Sequence, residues 1–436
     1  MTTLAALHAS PSIGHTSTRR LATASSVGTT LEWYDFTVYN TLAALIFNRL
    51  FFPSFDPLSG TILAFSTYAV GYVSRPIGGV LFGHLGDKHG RRVVLVITLV
   101  LMGATTGLMG LLPTYGTAGL ASPILLVTLR FVQGVALGGE WAGAVLISVE
   151  HGAQRHRGRN ASWTQVGPSV GTLLATGGIA LITYLVSPDE FLSWGWRIPF
   201  LASVVLVGFG LWIRRGVAET PMFTELEQSG TKSQTPIGDV LRRYWRRLLI
   251  AAGVRVGSDV LYALLVVFML TYVTTVLNLS RTLALTAIMV GSVCNAVSIL
   301  FFGALSDRVG RRPVYAAGAL LGMLWAFVFF VLLESRRPAL IVIAVVVGLV
   351  IHSAMFGPQA AFVTEQFPTR VRYAGCSLAY TAAGIAGGGF APLIFASLFA
   401  VYRTSTTISL YVVATLCVTG VALLVARETA ASPLEE

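Results

Sequence analysis

The sequence predicts an all-α integral membrane protein, with twelve transmembrane helices arranged as two pseudo-symmetric six-helix bundles. Of its 436 residues 54% are apolar and only 11% charged, and the mean hydropathy is +0.74, a balance that a soluble globule of this size does not keep. Twelve stretches are long and apolar enough to span a bilayer at roughly 20 residues each. One ten-residue pattern occurs twice, 220 residues apart, about half the chain.

The apolar stretches cover residues 27–47, 61–82, 93–112, 124–149, 162–186, 198–213, 248–276, 283–305, 314–333, 340–363, 374–401 and 408–426. Backbone polar groups cannot go unpaired in lipid, so runs of this length read as helices. Residues 1–20 form a polar N-terminal tail whose "STRRLATAS" faintly resembles a twin-arginine export signal. The stretch after this tail carries Glu32 and Asp35 without a clear cleavage site, and reads as the first span. Residues 21–214 then make the first bundle, 215–247 a linker, 248–427 the second bundle and 428–436 a C-terminal tail. The loop 214–247 holds seven basic residues and is punctuated by Pro221, Gly230, Pro236 and Gly238.

The net charge of +11 raises the question of a nucleic-acid partner. Its distribution answers otherwise. With the N-terminus inside, 21 basic residues fall on the cytoplasmic side, 6 outside and 3 within spans, as the positive-inside rule demands. Arg336 and Arg337 run against the trend. Both termini are expected in the cytoplasm, with the chain in the plasma (inner) membrane. Cys294, Cys376 and Cys417 all fall in spans without metal-type spacing, so they read as small apolar side chains and no metal site is expected.

The repeated pattern is "GHLGDKHGRR" from Gly83 and "GALSDRVGRR" from Gly303. The fourth and tenth spans end in "LISVE" and "AFVTE", which puts Glu150 and Glu365 at matching inner ends, with Arg157 and Arg159, or Arg370 and Arg372, soon after. Each half thus carries one acid–base set: Gly83, Asp87, Gly90, Arg91 and Glu150, or Gly303, Asp307, Gly310, Arg311 and Glu365. Such sets suit a cytoplasmic gate whose ion pairs form and release as the halves rock. The blander alternative is a pair of turns that merely obey positive-inside, and the recurrence in both halves favours the gate.

Seven ionisable residues sit inside spans: Glu32, Asp35, Glu140 and Asp259, with Arg75, Arg130 and Arg255. At about 3 kcal/mol each they would together cost about 20 kcal/mol, above a protein's usual net stability. They must therefore pair or face a wet cavity. Asp35 and Asp259 lie near the middle of the first and seventh spans, 224 residues apart, and are expected to face one central cavity from matching positions. Glu32, Asp35 and Tyr39, at i, i+3 and i+7, share a helix face, and Arg255 and Asp259, at i and i+4, can pair. Desolvated carboxylates can carry a proton across. Asp35 is the first candidate, followed by Glu32, Glu140 and Asp259; Glu32 is either its neighbour in that role or an ion-pair partner. Arg130 and Arg255 are candidates to grip a carboxylate by two parallel hydrogen bonds. Tyr34, Tyr39, Gln133, Gln165, Tyr262 and Gln359 could add hydroxyl and amide contacts, as could Trp141, Asn295 and Tyr380, although aromatic residues in spans more often pack. A lone span histidine, His352, fits a proton relay or a packed core equally.

With both copies of the repeated pattern, the chain resembles the major facilitator superfamily over nearly its whole length. "LEWYDF", "SRPIGGVLFGHLGD", "RFVQGVALGGEWAGA", "WGWRIPF", "ETPMF" and "GPQAAFVTEQFPTRVRYAG" are similar to its metabolite:proton symporter branch, which includes shikimate, α-ketoglutarate, citrate and proline/betaine carriers. "ALIFNRLFFP", "ILLVTLRFVQG" and "FLSWGWRIPF" are most similar to the shikimate carriers. The resemblance implies a secondary transporter, driven by the proton gradient without a cofactor, that takes up a small organic acid, shikimate-like or a dicarboxylate. Within the branch a zwitterionic osmolyte is the alternative, although no heptads follow Arg427. A transporter-like sensor that binds without moving its ligand is another. No phosphate-cradling G-x-x-x-x-G-K-[ST] and no hydrolytic constellation stands out, so neither an ATP-driven pump nor an enzyme is expected.

Overall fold

The computed structural model describes residues 18–89, 91–138, 145, 146, 148, 149, 156–214 and 236–430. The helices are α1 (Thr18–Leu42), α2 (Pro57–Val73), α3 (Arg75–His89), α4 (Arg91–Gly110), α5 (Ala121–Leu137), α6 (Arg157–Leu185), α7 (Arg197–Arg214), α8 (Pro236–Arg243), α9 (Trp245–Tyr262), α10 (Arg281–Val309), α11 (Arg311–Glu334), α12 (Pro338–Glu365), α13 (Thr369–Ala383), α14 (Ala391–Tyr402) and α15 (Ser405–Val425). Short π-helical turns continue α1 (Ala43–Phe47) and α9 (Ala263–Phe268), and another joins α13 to α14 (Gly384–Gly389). The first two of these begin 220 residues apart, the offset of the repeated sequence pattern.

Local chemistry sets the helix ends. Asp56 caps α2 by accepting from the backbone N–H groups of Leu58 and Ser59 at 3.1 and 3.2 Å, with Pro57 at the first turn. Ser280 caps α10 through the Leu283 N–H, and Thr404 caps α15 through that of Thr406. Between α10 and α11 Gly310 takes φ = +110°, and a Cβ there would stand 3.0 Å from Glu428 Oε2 and 3.2 Å from Pro313 Cδ. Only glycine meets both demands, which explains this position in "GALSDRVGRR".

Among the described residues seven helices are long and apolar enough to cross a membrane, and the pair Pro188–Gly195 and Arg197–Trp212, bent by 46°, makes an eighth. Of the other four expected spans, the third is the continuous α4, whose apolar part Val96–Gly110 is shorter. The first carries Glu32 and Asp35, the second breaks at Ser74 into α2 and α3, and the fourth continues into residues that are largely outside the description. The seventh begins three residues earlier than the hydropathy suggests, at Trp245, and the linker's described part contains α8.

Helix pairing repeats between the halves of the chain. In the first half α1 packs on α6, α2 on α5 and α4 on α7; in the second α9 packs on α13, α10 on α12 and α11 on α15. The halves meet where α6 runs along α10 and where α2 meets Gly384–Gly389 and α14. Small residues permit the α6–α10 approach: a Cβ on Gly158 would stand 2.6 Å from the Gly303 carbonyl oxygen, and one on Gly303 2.5 Å from Ser162 Cβ. The two matching sets of helices meet along these seams.

Candidate functional site

A cavity opens between the two halves. Its first-half wall is Trp33 and Asn40 of α1, Tyr68 and Tyr72 of α2 and Pro168 of α6; its second-half wall is Arg255, Asp259, Tyr262, Ala263, Val267, His352, Phe356 and Gly388. The free space between them is about 20 Å³, room for about one water molecule. A metabolite does not fit in that space.

The charges in this cavity sit one turn apart on α9. Arg255 Nε lies 2.9 Å from Asp259 Oδ2 and 3.1 Å from Oδ1. Arg255 Nη1 donates to the Tyr380 carbonyl at 3.2 Å, and the guanidinium carbon lies 3.3 Å from the centroid of the Tyr380 ring. Rings line the remaining walls. Trp33 meets Tyr262 edge-on at 5.5 Å, the rings of Tyr262 and His352 are 5.3 Å apart, and His352 stacks on Phe356 at 5.0 Å. Hydroxyls are chained behind them: Tyr68 donates to Tyr72 at 2.9 Å, while Thr172 lies 2.8 Å from the Tyr262 hydroxyl and 3.1 Å from that of Thr37. Asn295 ties α10 to α12 by donating to the Leu349 carbonyl and Ser353 hydroxyl, each at 2.8 Å, and accepts from Ser169 of α6.

Asp35 is turned away from the cavity, contrary to the expectation that it faces Asp259 across it. Its Oδ1 accepts from Ser203 of α7 and its Oδ2 from Thr106 of α4 at 3.0 Å. Trp33 and Asn40 take the cavity-facing side of α1 instead, because two residues along a helix turn a side chain through about 200°. Arg130 is also displaced from the wall. Its Nη1 donates to Gln133, whose amide donates to Thr106 at 2.6 Å, so Arg130, Gln133, Thr106 and Asp35 form one line inside the first half. The guanidinium of Arg130 lies over Phe36 and Tyr39 at 4.2 Å each and Tyr68 at 5.1 Å, and Tyr68 separates it from the cavity. Glu32 is buried, close enough to Arg75 and Tyr380 for direct charge interaction, and Arg75 stacks over Tyr72 and Phe36 at 4.2 and 4.6 Å.

Of the other expected contacts, Tyr262 lines the cavity. Tyr34 donates to the Pro199 carbonyl at 2.9 Å, and Tyr39 is bonded to Thr67, both inside the first half. Gln165 donates to the Phe356 carbonyl at 3.3 Å and to Gln359 at 3.5 Å, which places both at the α6–α12 seam, and Gln359 in turn donates to Tyr315 of α11 at 3.0 Å. Glu140 and Trp141 lie outside the described residues. Trp33, Asn40, Tyr68, Tyr72 and Phe356 had drawn no attention in the sequence. Their signal was available only once Arg255 and Asp259 fixed the cavity-facing side of α9.

A second cluster closes one end of the seam between the halves. Asp307 accepts from the backbone N–H groups of Gly158 and Arg159, at 2.8 and 2.9 Å, and so caps the first turn of α6 from the opposite half. Arg311 Nη1 lies 2.7 Å from Asp307 and its Nη2 3.3 Å from Glu365, and Arg157 Nε of α6 is 3.2 Å from the same Glu365. The segment after α15 joins them: Thr429 donates to Glu365, and its carbonyl accepts from Arg157 at 3.2 Å. Glu428 accepts from the Arg311 and Arg312 N–H groups at 2.9 Å each, and from those of Thr429 and Ala430. Partial burial works to raise its carboxyl, but these backbone donors outweigh it and hold the group below the usual glutamate range. Gly303 and Gly310 serve this cluster through close packing and backbone turn. In the first-half copy, Gly83 and Asp87 lie on α3 and Arg91 opens α4, while Gly90 and Glu150 are outside the described residues.

Comparison with known proteins agrees with this architecture. The family profile described as Major Facilitator Superfamily matches residues 26–388 and 254–436. The chain is 39% identical over 416 residues to the shikimate transporter of Escherichia coli (strain K12), covering 94% of this chain and 95% of that one. It is 37% identical over 418 residues to the inner membrane metabolite transport protein YhjE of the same strain, covering 95% of each. It is 35% identical over 386 residues to that strain's proline/betaine transporter, covering 85% of this chain and 76% of the other. Among solved structures, the proton:xylose symporter XylE bound to 6-bromo-6-deoxy-D-glucose superposes with a TM-score of 0.73 at 18% identity, covering 96% of this chain and 98% of that chain.

Proposed function

The chain belongs to the Major Facilitator Superfamily, and from that premise we propose that it carries a small organic acid across the membrane together with a proton, by alternating access. It is a multi-pass membrane transporter of the shikimate, metabolite or proline/betaine type, and not an enzyme. The observation that carries the finer reading is the Arg255–Asp259 pair on the cavity wall.

Charge counting couples the two ligands. With Asp259 ionised the pair is neutral. A proton alone leaves one net positive charge, and an acid anion alone leaves one net negative charge. Each would have to cross a low-dielectric barrier at about 3 kcal/mol. Proton and anion together restore neutrality: protonated Asp259 loosens its hold on Arg255, whose planar fork then turns to the substrate carboxylate. Only the empty and the fully loaded carrier cross readily, which makes transport coupled. Asp259 takes the proton-carrying role first expected of Asp35, because it shares the cavity with the arginine.

Asp307, Arg311, Glu365 and Arg157 are proposed as the gate at the end that the basic residues assign to the cytoplasm. The Arg157–Glu365 ion pair and the bonds of Asp307 to the Gly158 and Arg159 N–H groups bridge the halves and must separate for release on that side. The aromatic walls also suit a quaternary amine, which supports a proline- or betaine-like osmolyte as the second reading.

Uptake of labelled acid into proteoliposomes under an imposed pH gradient tests the proposal. Asp259→Asn is expected to lose gradient-driven accumulation while retaining acid exchange, and Arg255→Lys to raise KM about tenfold by losing bidentate geometry. Undiminished accumulation by the Asp259→Asn variant would falsify the coupling scheme.

A further inference from the structure

Asn40 holds a buried hydrogen-bond acceptor that the protein itself does not use. The residue is 7% exposed and lines the cavity from α1, beside the Tyr68 hydroxyl. Its amide oxygen has no donor among the described residues. Of the neighbouring hydroxyls, that of Tyr68 donates to Tyr72, and that of Tyr262 pairs with Thr172. A buried amide oxygen left without a donor is costly, and native interiors keep few of them. In the closed cavity the one water that fits can serve this acceptor, and a ligand that displaces that water has to reproduce its donor.

We propose that the transported acid carries a hydroxyl group, away from its carboxylate, that donates to Asn40 Oδ1. The assignment rests on the carboxylate binding at Arg255 proposed above. It places the two polar ends of the substrate on opposite halves, carboxylate on α9 and hydroxyl on α1, with its apolar body between the rings of Trp33, Tyr72 and Tyr262. A fully ionised dicarboxylate without hydroxyls has no donor for Asn40, and a quaternary ammonium has no N–H. An ammonium group would supply a donor but would add a positive charge to the proton and Arg255, against the neutrality of the loaded carrier. A hydroxy acid satisfies both Asn40 and the charge count.

The test is binding to the purified full chain in nanodiscs by calorimetry, with shikimate, its ring analogue without hydroxyls (cyclohexene carboxylate), α-ketoglutarate, proline and glycine betaine as probes. The wild type is expected to bind shikimate about five- to tenfold more tightly than the deoxy analogue, the value of about one neutral hydrogen bond. Asn40→Leu, which keeps shape without the acceptor, is expected to narrow that ratio to about twofold while deoxy-acid affinity is kept. Equal wild-type affinity for the two ring acids overturns the proposal, as does an equal loss of both in Asn40→Leu or tighter binding of proline, betaine or α-ketoglutarate than of shikimate. If the variant does not fold, the wild-type ratio decides. Methyl esters separate this from the carboxylate reading: esters that bind as well as the acids remove Arg255's role, while the hydroxyl increment measured on the esters still judges Asn40.

Discussion

The buried arginines show how single residues make charge tolerable in this bundle. Arg255 is met by a carboxylate and a ring, Arg75 by the faces of Tyr72 and Phe36, and Arg130 by three rings and Gln133. Desolvated cation–π contacts contribute about 2 kcal/mol each, so aromatic residues that a hydropathy scan treats as packing are the counter-groups of these charges. Arg130 and Arg255 were both candidates in the sequence to grip a carboxylate, and the structure separates them: Arg255 lines the cavity and Arg130 does not. Arg130→Lys is accordingly expected to lower the melting temperature by several degrees, since an ammonium cannot lie flat under Phe36 and Tyr39. Its affinity for the acid should stay within about twofold, because Tyr68 stands between it and the cavity. Thermal unfolding and binding measured on the same preparation check this, and a tenfold affinity loss at unchanged stability would return Arg130 to the substrate.

At the scale of elements, the short segment after α15 acts as a clasp on the start of α11. Glu428 binds the first two N–H groups of that helix, where the helix dipole favours an anion. Because its folded-state pKa is depressed, the stability it contributes is fully present above the ordinary glutamate range and is lost as pH falls through its own lower value. Glu428→Gln is expected to lower the melting temperature at neutral pH, with the difference from wild type closing as pH drops below about 4. A pH-independent difference would mean that Glu428 acts by packing alone. Gly310, on the other side of this clasp, predicts a sharper effect. Gly310→Ala adds a Cβ at φ = +110°, against Glu428 and Pro313, and is expected to destabilise the protein by about 1–3 kcal/mol. Wild-type stability in that variant would show that the turn can re-form without glycine.

For the whole molecule, the pairing of α6 with α10 is the seam between the halves and, in the function proposed above, its lock. Asp307 caps α6 across the halves, and Arg157 reaches Glu365 in return, so the cluster exists only while that end is shut. Glu365→Gln is expected to favour opening there, seen as increased labelling of a cysteine introduced at Ser162 by a membrane-impermeant maleimide. Labelling unchanged from the wild-type background would argue that Asp307 alone holds the seam.

Apolar length, basic-residue distribution and a motif repeated at a 220-residue offset determined the helical membrane fold, its twofold internal plan and the family, because these depend on transfer energies and periodicity along the chain. They also singled out Asp307, Arg311 and Glu365, whose spacing repeats an acid–base set, and the pairing of Arg255 with Asp259, which comes from one helical turn. Only the tertiary structure decided which buried charges share the cavity. Asp35 and Asp259 stand at nearly matching points of the repeat, yet one is held by Ser203 and Thr106 inside its own half and the other meets Arg255 at the seam. Helical period tells which residues share a face, but which face meets the other half depends on how each helix is rotated by its neighbours. That rotation is a property of packing between residues hundreds of positions apart, and it is what brought Asn40 to the wall and put Asp35 behind it.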